Sequence, residues 1–149
     1  MPEQLDDPIF REVFDYWSAK CDGEHLPSRK DIDPTDIWKV LGNIVLIEVV
    51  TGAPRPRFRY RLWGTRVTEL YGKDYTGYML DQVIIPASRE KIQAVFEWVI
   101  ENRTPHFWQV PVPAENRNFV SNRRLLLPLA TDGRTIDMLM AVILGDRRA

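Results

Sequence analysis

The 149-residue sequence has few of the features on which several large functional classes depend. Cys21 is its only cysteine, so no disulfide can form within the chain and no zinc site built from several cysteines is available. The formal net charge is -1, without the basic excess typical of nucleic-acid-binding proteins. No apolar run approaches the ~18 residues of a membrane-spanning helix. The opening residues, MPEQLDDPIF, are acidic and lack the apolar stretch of a signal peptide, so we expect a cytoplasmic location.

Motifs of the common catalytic families are also missing from the sequence. It has no GxSxG, GxxxxGKS/T, GxGxxG or HExxH string. Its two histidines are His25, in a polar stretch, and His106, at the start of a predicted strand. A small cone-shaped α+β enzyme acting on an apolar substrate would use a buried Asp–His pair, for which Asp137 with His106 is the only candidate. The sequence therefore favours a non-catalytic protein, with such an enzyme as the alternative.

The chain has the length of one domain, and its first part predicts two short helices. Asp7 can cap the first helix, whose apolar stripe is formed by Ile9, Phe10, Val13, Phe14, Trp17 and Cys21. Asp33 can cap the second helix, in which Pro34 takes the first position and Gly42 marks the end. Residues 1–43 are accordingly predicted to be an N-terminal helical extension that packs on a domain spanning 44–149, in one structural unit.

The rest of the chain predicts two strands, a helical middle and three further strands. IVLIEVV and FRYRLW form a plausible antiparallel hairpin, and Gly64, Gly72 and Gly77 divide the next stretch into short helical turns. The longest helix is predicted to begin at Ser88 and to end before Pro105. HFWQVPV, FVSNRRLLLPLA and TIDMLMAVIL then read as strands, the last two joined at Asp132-Gly133. The fold class is α+β with a five-stranded antiparallel sheet.

This order of elements resembles the PAS fold. Glu69 to Pro105 resembles the helical middle of PAS domains, and YW, LPSRKDIDP, FRYRLWGT, DYTG and LLLPLATDG resemble a family of stand-alone bacterial PAS-like proteins. One departure is the absence of a Glu-Arg pair before LLLPL, where this chain has Asn122, Arg123 and Arg124. The resemblance implies helices on one face of the sheet, and a sensory module that binds a small molecule in a central cavity or pairs through its sheet and N-terminal helix.

The sequence lacks the residues that hold the cofactors known in PAS domains. Haem would need a histidine on the long helix, and that helix has none; we expect His106 to stay neutral with a hydrogen-bond partner. Flavin photochemistry would need a reactive cysteine in the short-helix region, whereas Cys21 lies at the end of the first helix. The sequence therefore predicts a protein without haem, flavin or metal. Arg57, Arg59 and Arg61 could bind a phosphate, but a solvated strand face paired with acids such as Glu48 is favoured.

The final hairpin is apolar on both faces. Leu125, Leu127 and Leu129 share a face with Ile136, Met138, Met140 and Val142, which is predicted to be the core face under the helical middle. Leu126, Leu139, Ala141 and Ile143 form the opposite face, which is too apolar to meet water. The first helix, a second copy of the protein, or both must cover it. We therefore expect a homodimer, and an aggregating protein if the chain before Leu26 is deleted.

Aromatic residues at core-facing positions and near the glycines predict a cavity between the helical middle and the sheet. The residues expected to line it are Tyr60, Trp63, Tyr71, Tyr78, Phe96, Trp108 and Met140. Its occupant would be a small apolar or aromatic molecule. The predicted function is a non-catalytic sensory or regulatory module that binds this ligand, an unidentified signalling protein, or both, with no nucleic acid and no membrane span.

Overall fold

The computed structural model describes residues 7–83, 86–114 and 117–145, with side chains for all of these except 86–87 and 110–122. The N-terminal part contains helix α1 (Pro8–Lys20), a 3-10 turn (Arg29–Asp31) and a 3-10 helix (Pro34–Asn43) kinked at Ile37. The hairpin β1 (Ile44–Val50) and β2 (Arg57–Trp63) follows. The helical middle consists of α2 (Thr65–Tyr71), α3 (Leu80–Val83) and α4 (Pro86–Asn102). Strands β3 (His106–Ala114), β4 (Arg117–Leu129) and β5 (Met138–Gly145) complete the fold.

The five strands form one antiparallel sheet in the order β2-β1-β5-β4-β3. The sheet therefore brings the first hairpin beside the last strand, with β2 and β3 at its two edges. The predicted α+β class, five-stranded antiparallel sheet and N-terminal helix are all confirmed. No helix in the described part of the chain is long and apolar enough to cross a membrane.

Local capping explains where the N-terminal helices begin. The carboxylate of Asp7 accepts a hydrogen bond from the Ile9 amide at 2.9 Å, and Asp33 does the same for Thr35 at 2.9 Å. The predicted second helix is a 3-10 helix rather than an α-helix. Its backbone leaves helical geometry at Ile37, and both Ile37 and Val40 are buried.

The two faces of the sheet carry separate apolar clusters, one under each helical layer. The inner face, defined here as the face under α2 and α4, includes Leu126, Leu139, Ala141 and Ile143. The outer face, under α1 and the 3-10 segments, includes Leu125, Leu127, Leu129, Met140 and Val142. The inference that both faces need a cover is therefore correct, but their assignment was inverted. Alternation of the side chains shows which residues share a face, but it does not show which face lies under which helices, because both faces are apolar and covered.

Helix α1 anchors the outer layer through large side chains. Phe10 and Val13 are completely buried, and the Trp17 indole N–H donates a hydrogen bond to the Pro128 carbonyl at 2.9 Å. Phe10 also meets Phe107 edge to face at a ring-centroid distance of 5.4 Å. Because α1 and the 3-10 segments cover the outer face, the apolar hairpin no longer requires a second copy of the protein.

The connection between β4 and β5 is longer than the predicted two-residue turn. Asp132 accepts hydrogen bonds from the amides of Arg134 and Thr135, at 2.8 and 2.6 Å, while Gly133 has a φ of 80°. Asp137 accepts from the Thr131 amide at 3.2 Å and from its hydroxyl. These carboxylates hold 130–137 as a compact loop, so β5 begins at Met138 rather than at Thr135.

Candidate functional site

A β-bulge in the first hairpin decides which side chains of β2 face the helices. The register changes from Leu46↔Leu62 to Ile47↔Tyr60, which leaves Arg61 as the extra residue. As a result Trp63, rather than Leu62, joins Phe58 and Tyr60 on the inner face. Leu62 is 39% exposed, against 5% for Trp63. A regular strand would place Phe58, Tyr60 and Leu62 on one face, and this alternation breaks at Arg61.

The inner face bears a connected group of aromatic rings. Trp63 packs edge to face against Tyr60, Tyr71 and Tyr75, with ring-centroid distances of 4.9, 5.2 and 5.2 Å. Phe58 and Phe96 make a similar contact at 5.0 Å between β2 and α4. All six rings are at most 6% exposed, so side chains occupy much of the space in which the sequence predicted a cavity.

A charged side chain lies among these rings. Arg124, on β4, is 4% exposed, and its Nη2 donates a hydrogen bond to the Tyr71 hydroxyl. Its guanidinium carbon lies 5.5 Å from the ring centroid of Trp108 and 6.0 Å from that of Tyr71. Guanidinium groups stack well on aromatic faces, and these two contacts compensate part of the cost of burying the charge.

Further polar groups converge on the same side of the sheet. The Trp63 indole N–H and the His106 Nδ1 are buried without a hydrogen-bond partner in the described part of the chain. Burial raises the pKa of Tyr60 far above its usual value, partly opposed by the positive charge of Arg124, so its phenol stays protonated. Burial also lowers the pKa of His106, which favours the neutral imidazole. We call Tyr60, Trp63, Tyr71, His106, Trp108 and Arg124 the inner site.

The structure brings most of the predicted ligand-lining residues together. Tyr60, Trp63, Tyr71 and Phe96 are buried in the inner cluster, and Trp108 is partly buried against it. Of the remaining two, Tyr78 borders this cluster through Tyr75, and Met140 lies on the other face of the sheet.

Tyr78 is 37% exposed, and its ring packs edge to face against Tyr75 of the inner cluster at a ring-centroid distance of 5.5 Å. Its carbonyl accepts a hydrogen bond from the Tyr60 amide at the edge of β2. Met140 packs on the outer face, because it pairs with Leu46 and Leu127 of the outer cluster. Met140 therefore lies away from the predicted inner cavity, whereas Tyr78 lies at the margin of the inner cluster.

Arg124 and Tyr75 are the inner residues that the sequence reasoning overlooked. Arg124 shares its face with Leu126 by simple alternation, so a correct assignment of the hairpin faces would have placed it inside. Tyr75 lies in the short segment between Gly72 and Gly77, where the sequence does not determine the direction of its side chain.

The other candidate groups, the Asp137–His106 pair and the arginines of β2, make structural contacts instead. Asp137 is engaged by Thr131, while the His106 Nδ1 has no partner in the described residues, so the proposed acid–base pair is not formed. Arg57 pairs with Asp81 at 3.1 Å, and Arg59 and Arg61 both pair with Glu48, at 3.5 and 3.8 Å. The interpretation of the arginine row as a surface face paired with nearby acids is confirmed.

Comparison with known proteins agrees with this geometry. The PAS-domain family profile matches residues 5–144. This chain belongs to the PAS domain family. PAS domains are typically sensory or signalling modules. A search of curated protein sequences returns no match.

Solved structures share the fold at low sequence identity. A PAS domain of a protein from Colwellia psychrerythraea has a TM-score of 0.59 and 11% identity, covering 75% of this chain and 95% of that one. The Rhodobacter sphaeroides LOV protein has a TM-score of 0.56 and 11% identity, with coverages of 79% and 70%. At this identity the similarity establishes the fold and carries no ligand over to this chain.

Proposed function

We propose that this PAS domain is a non-catalytic sensory module whose ligand is a small, largely apolar or aromatic molecule bound at the inner site. The observation that carries the proposal is the buried guanidinium of Arg124 among aromatic rings. A charged side chain is seldom found inside a core, and a guanidinium beside Tyr71 and Trp108 suits a ligand that carries a polar or anionic group. The indole N–H of Trp63, which has no hydrogen-bond partner among the described residues, supplies a second donor on the same face.

Binding at this site would require the aromatic side chains to rearrange. The rings of Trp63, Tyr71 and Tyr75 meet at their edges and share one cluster, so a ligand would displace some of these contacts. Such a displacement is what a sensor needs, because a ligand acts only through the difference in its affinity for two arrangements.

The sheet offers a direct route from the inner site to the N-terminal extension. Arg123, next to Arg124 in β4, lies on the outer side, where its Nη1 is 3.5 Å from a carboxylate oxygen of Asp7, the cap of α1. Its guanidinium carbon also lies 5.7 Å from the Phe10 ring centroid. A shift of β4 at Arg124 would therefore move the contacts that hold the start of α1. We propose that α1 and the sheet pass the signal to a partner protein, either a second copy or another signalling protein.

Mass spectrometry of small molecules released from the purified protein tests the ligand. We expect one compound at a stoichiometric amount in the wild type, absent from Arg124→Met. Arg123→Met is the matched control, because it removes the neighbouring arginine from the outer side and should retain the compound. A wild-type protein with no bound compound after mild purification, or an Arg124→Met variant that retains it, would overturn the proposal.

A further inference from the structure

A cavity lies on the opposite side of the sheet from the inner site. It has a volume of about 340 Å³ and is formed by the 3-10 segments on one side and by β1, β2 and β5 on the other. Its apolar lining includes Ile32, Ile37, Leu41, Ile44, Leu62 and Met140. Cavities of roughly 300–1,000 Å³ with such walls are typical of small-molecule sites. We call it the outer pocket.

The bulge at Arg61 helps to form this pocket. Because the bulge turns Trp63 inward, Leu62 takes up a position on the outer side, where it is 39% exposed and lines the cavity. Leu62 thereby adds its side chain to the apolar wall of the pocket. An apolar molecule bound in the pocket would reduce the exposure of this leucine, and that burial would be favourable.

The pocket has few polar lining residues, and the charge among them is positive. Arg29 is the only charged residue among those that line it in the described part of the chain. One of its N–H groups donates to the Ile32 carbonyl at 3.1 Å, and it forms no ion pair with a described residue. The nearby carboxylates are held elsewhere, since Asp31 accepts from the Ser28 amide at 2.9 Å and Asp33 from Thr35. The exposed guanidinium therefore keeps donors that match a carboxylate in a bidentate geometry.

We propose that the outer pocket binds a small monocarboxylate with an apolar tail or ring. The tail would lie along Ile37, Ile44 and Met140, beside Leu62, and the carboxylate would pair with Arg29. The outer pocket lies on the opposite face of the sheet from the inner site, and Trp63 contributes to the lining of both. Its existence does not depend on the function proposed above.

Octanoate is a suitable probe, with octan-1-ol as its neutral counterpart. Calorimetric titration should show that the wild type binds octanoate about tenfold more tightly than octan-1-ol, as expected for one charge-assisted contact. Arg29→Gln should remove this preference and leave octan-1-ol binding unchanged. Lys30→Gln is the matched control, because it removes a neighbouring exposed charge that does not line the pocket.

Methyl-resolved NMR on the same samples should locate the ligand. Octanoate should shift the signals of Ile37, Leu62 and Met140, and Arg124→Met should bind it as the wild type does. The proposal is overturned if octanoate does not bind, if Arg29→Gln binds it as tightly as the wild type, or if the shifts fall on Leu126 and Leu139 instead. Any of these outcomes leaves the proposal for the inner site standing.

Discussion

Deleting residues 1–25, which include α1, should prevent the protein from remaining a soluble folded monomer. Phe10, Val13 and Trp17 are 0%, 0% and 6% exposed, and they cover the outer face of β4 and β5. Burying a large apolar side chain contributes roughly 1.5–3 kcal/mol, so these three account for about 5–9 kcal/mol. The leucines they cover would lose burial as well. Together these losses are comparable with the roughly 5–15 kcal/mol that stabilise a whole domain.

Light scattering coupled to gel filtration, together with thermal unfolding, measures the effect of this deletion. We expect the truncated protein to aggregate or to lose its cooperative transition, whereas the full chain keeps both its defined mass and its transition. Trp17→Phe is a milder variant on the same face. It keeps most of the ring but removes the hydrogen bond to the Pro128 carbonyl, and should cost about 1–3 kcal/mol. A truncated protein with an unchanged mass and melting temperature would refute the assignment of α1 as the cover of the outer face.

Three further measurements test other parts of the account. Gly64→Ala should destabilise the protein by about 1–3 kcal/mol in urea unfolding, because the added Cβ would lie 2.3 Å from the Gly42 carbonyl oxygen. Gly42→Ala is the control and should cost less, because its Cβ would meet mainly the flexible Arg66 side chain. His106 should show an NMR titration midpoint below its ordinary pKa of 6.5, because burial disfavours the charged ring. As the pH falls, the unfolded chain binds a proton at His106 before the folded protein does. The contribution of His106 to the free energy of unfolding is therefore present above pH 6.5 and is lost as the pH falls towards the pKa of the folded protein. His106→Gln should remove that part of the pH dependence, and equal slopes in the two proteins would contradict it.

Much of the fold could be predicted from local patterns. The β-branched run IVLIEVV became β1 with the predicted bounds, because dense apolar residues suit a strand buried on both faces. The capping carboxylates Asp7 and Asp33 act as expected. These signals are local, and they depend on neighbouring residues alone.

Features that depend on distant contacts were predicted poorly. The faces of the final hairpin were inverted, because Leu126 and Leu127 are equally apolar and only the partners on each side distinguish them. Because of that inversion, Met140 was assigned to the wrong face and Arg124 was not predicted to be buried on the inner face. The bulge at Arg61 depends on pairing with β1, so the sequence of β2 alone indicated an unbroken alternation that would have buried Leu62.

The most direct test of the central claim follows the tryptophan indole signals of the ligand-free, refolded protein by NMR. The low-molecular-weight fraction of a cell extract is added to ¹⁵N-labelled protein. Trp63 lies at the inner site, whereas the Trp17 indole is hydrogen-bonded to Pro128 under α1 and serves as the internal reference. The account predicts that the Trp63 signal moves and that the Trp17 signal moves less. A Trp63 signal that stays in place while the protein binds the compound that the wild type retains and Arg124→Met loses would contradict the inner site.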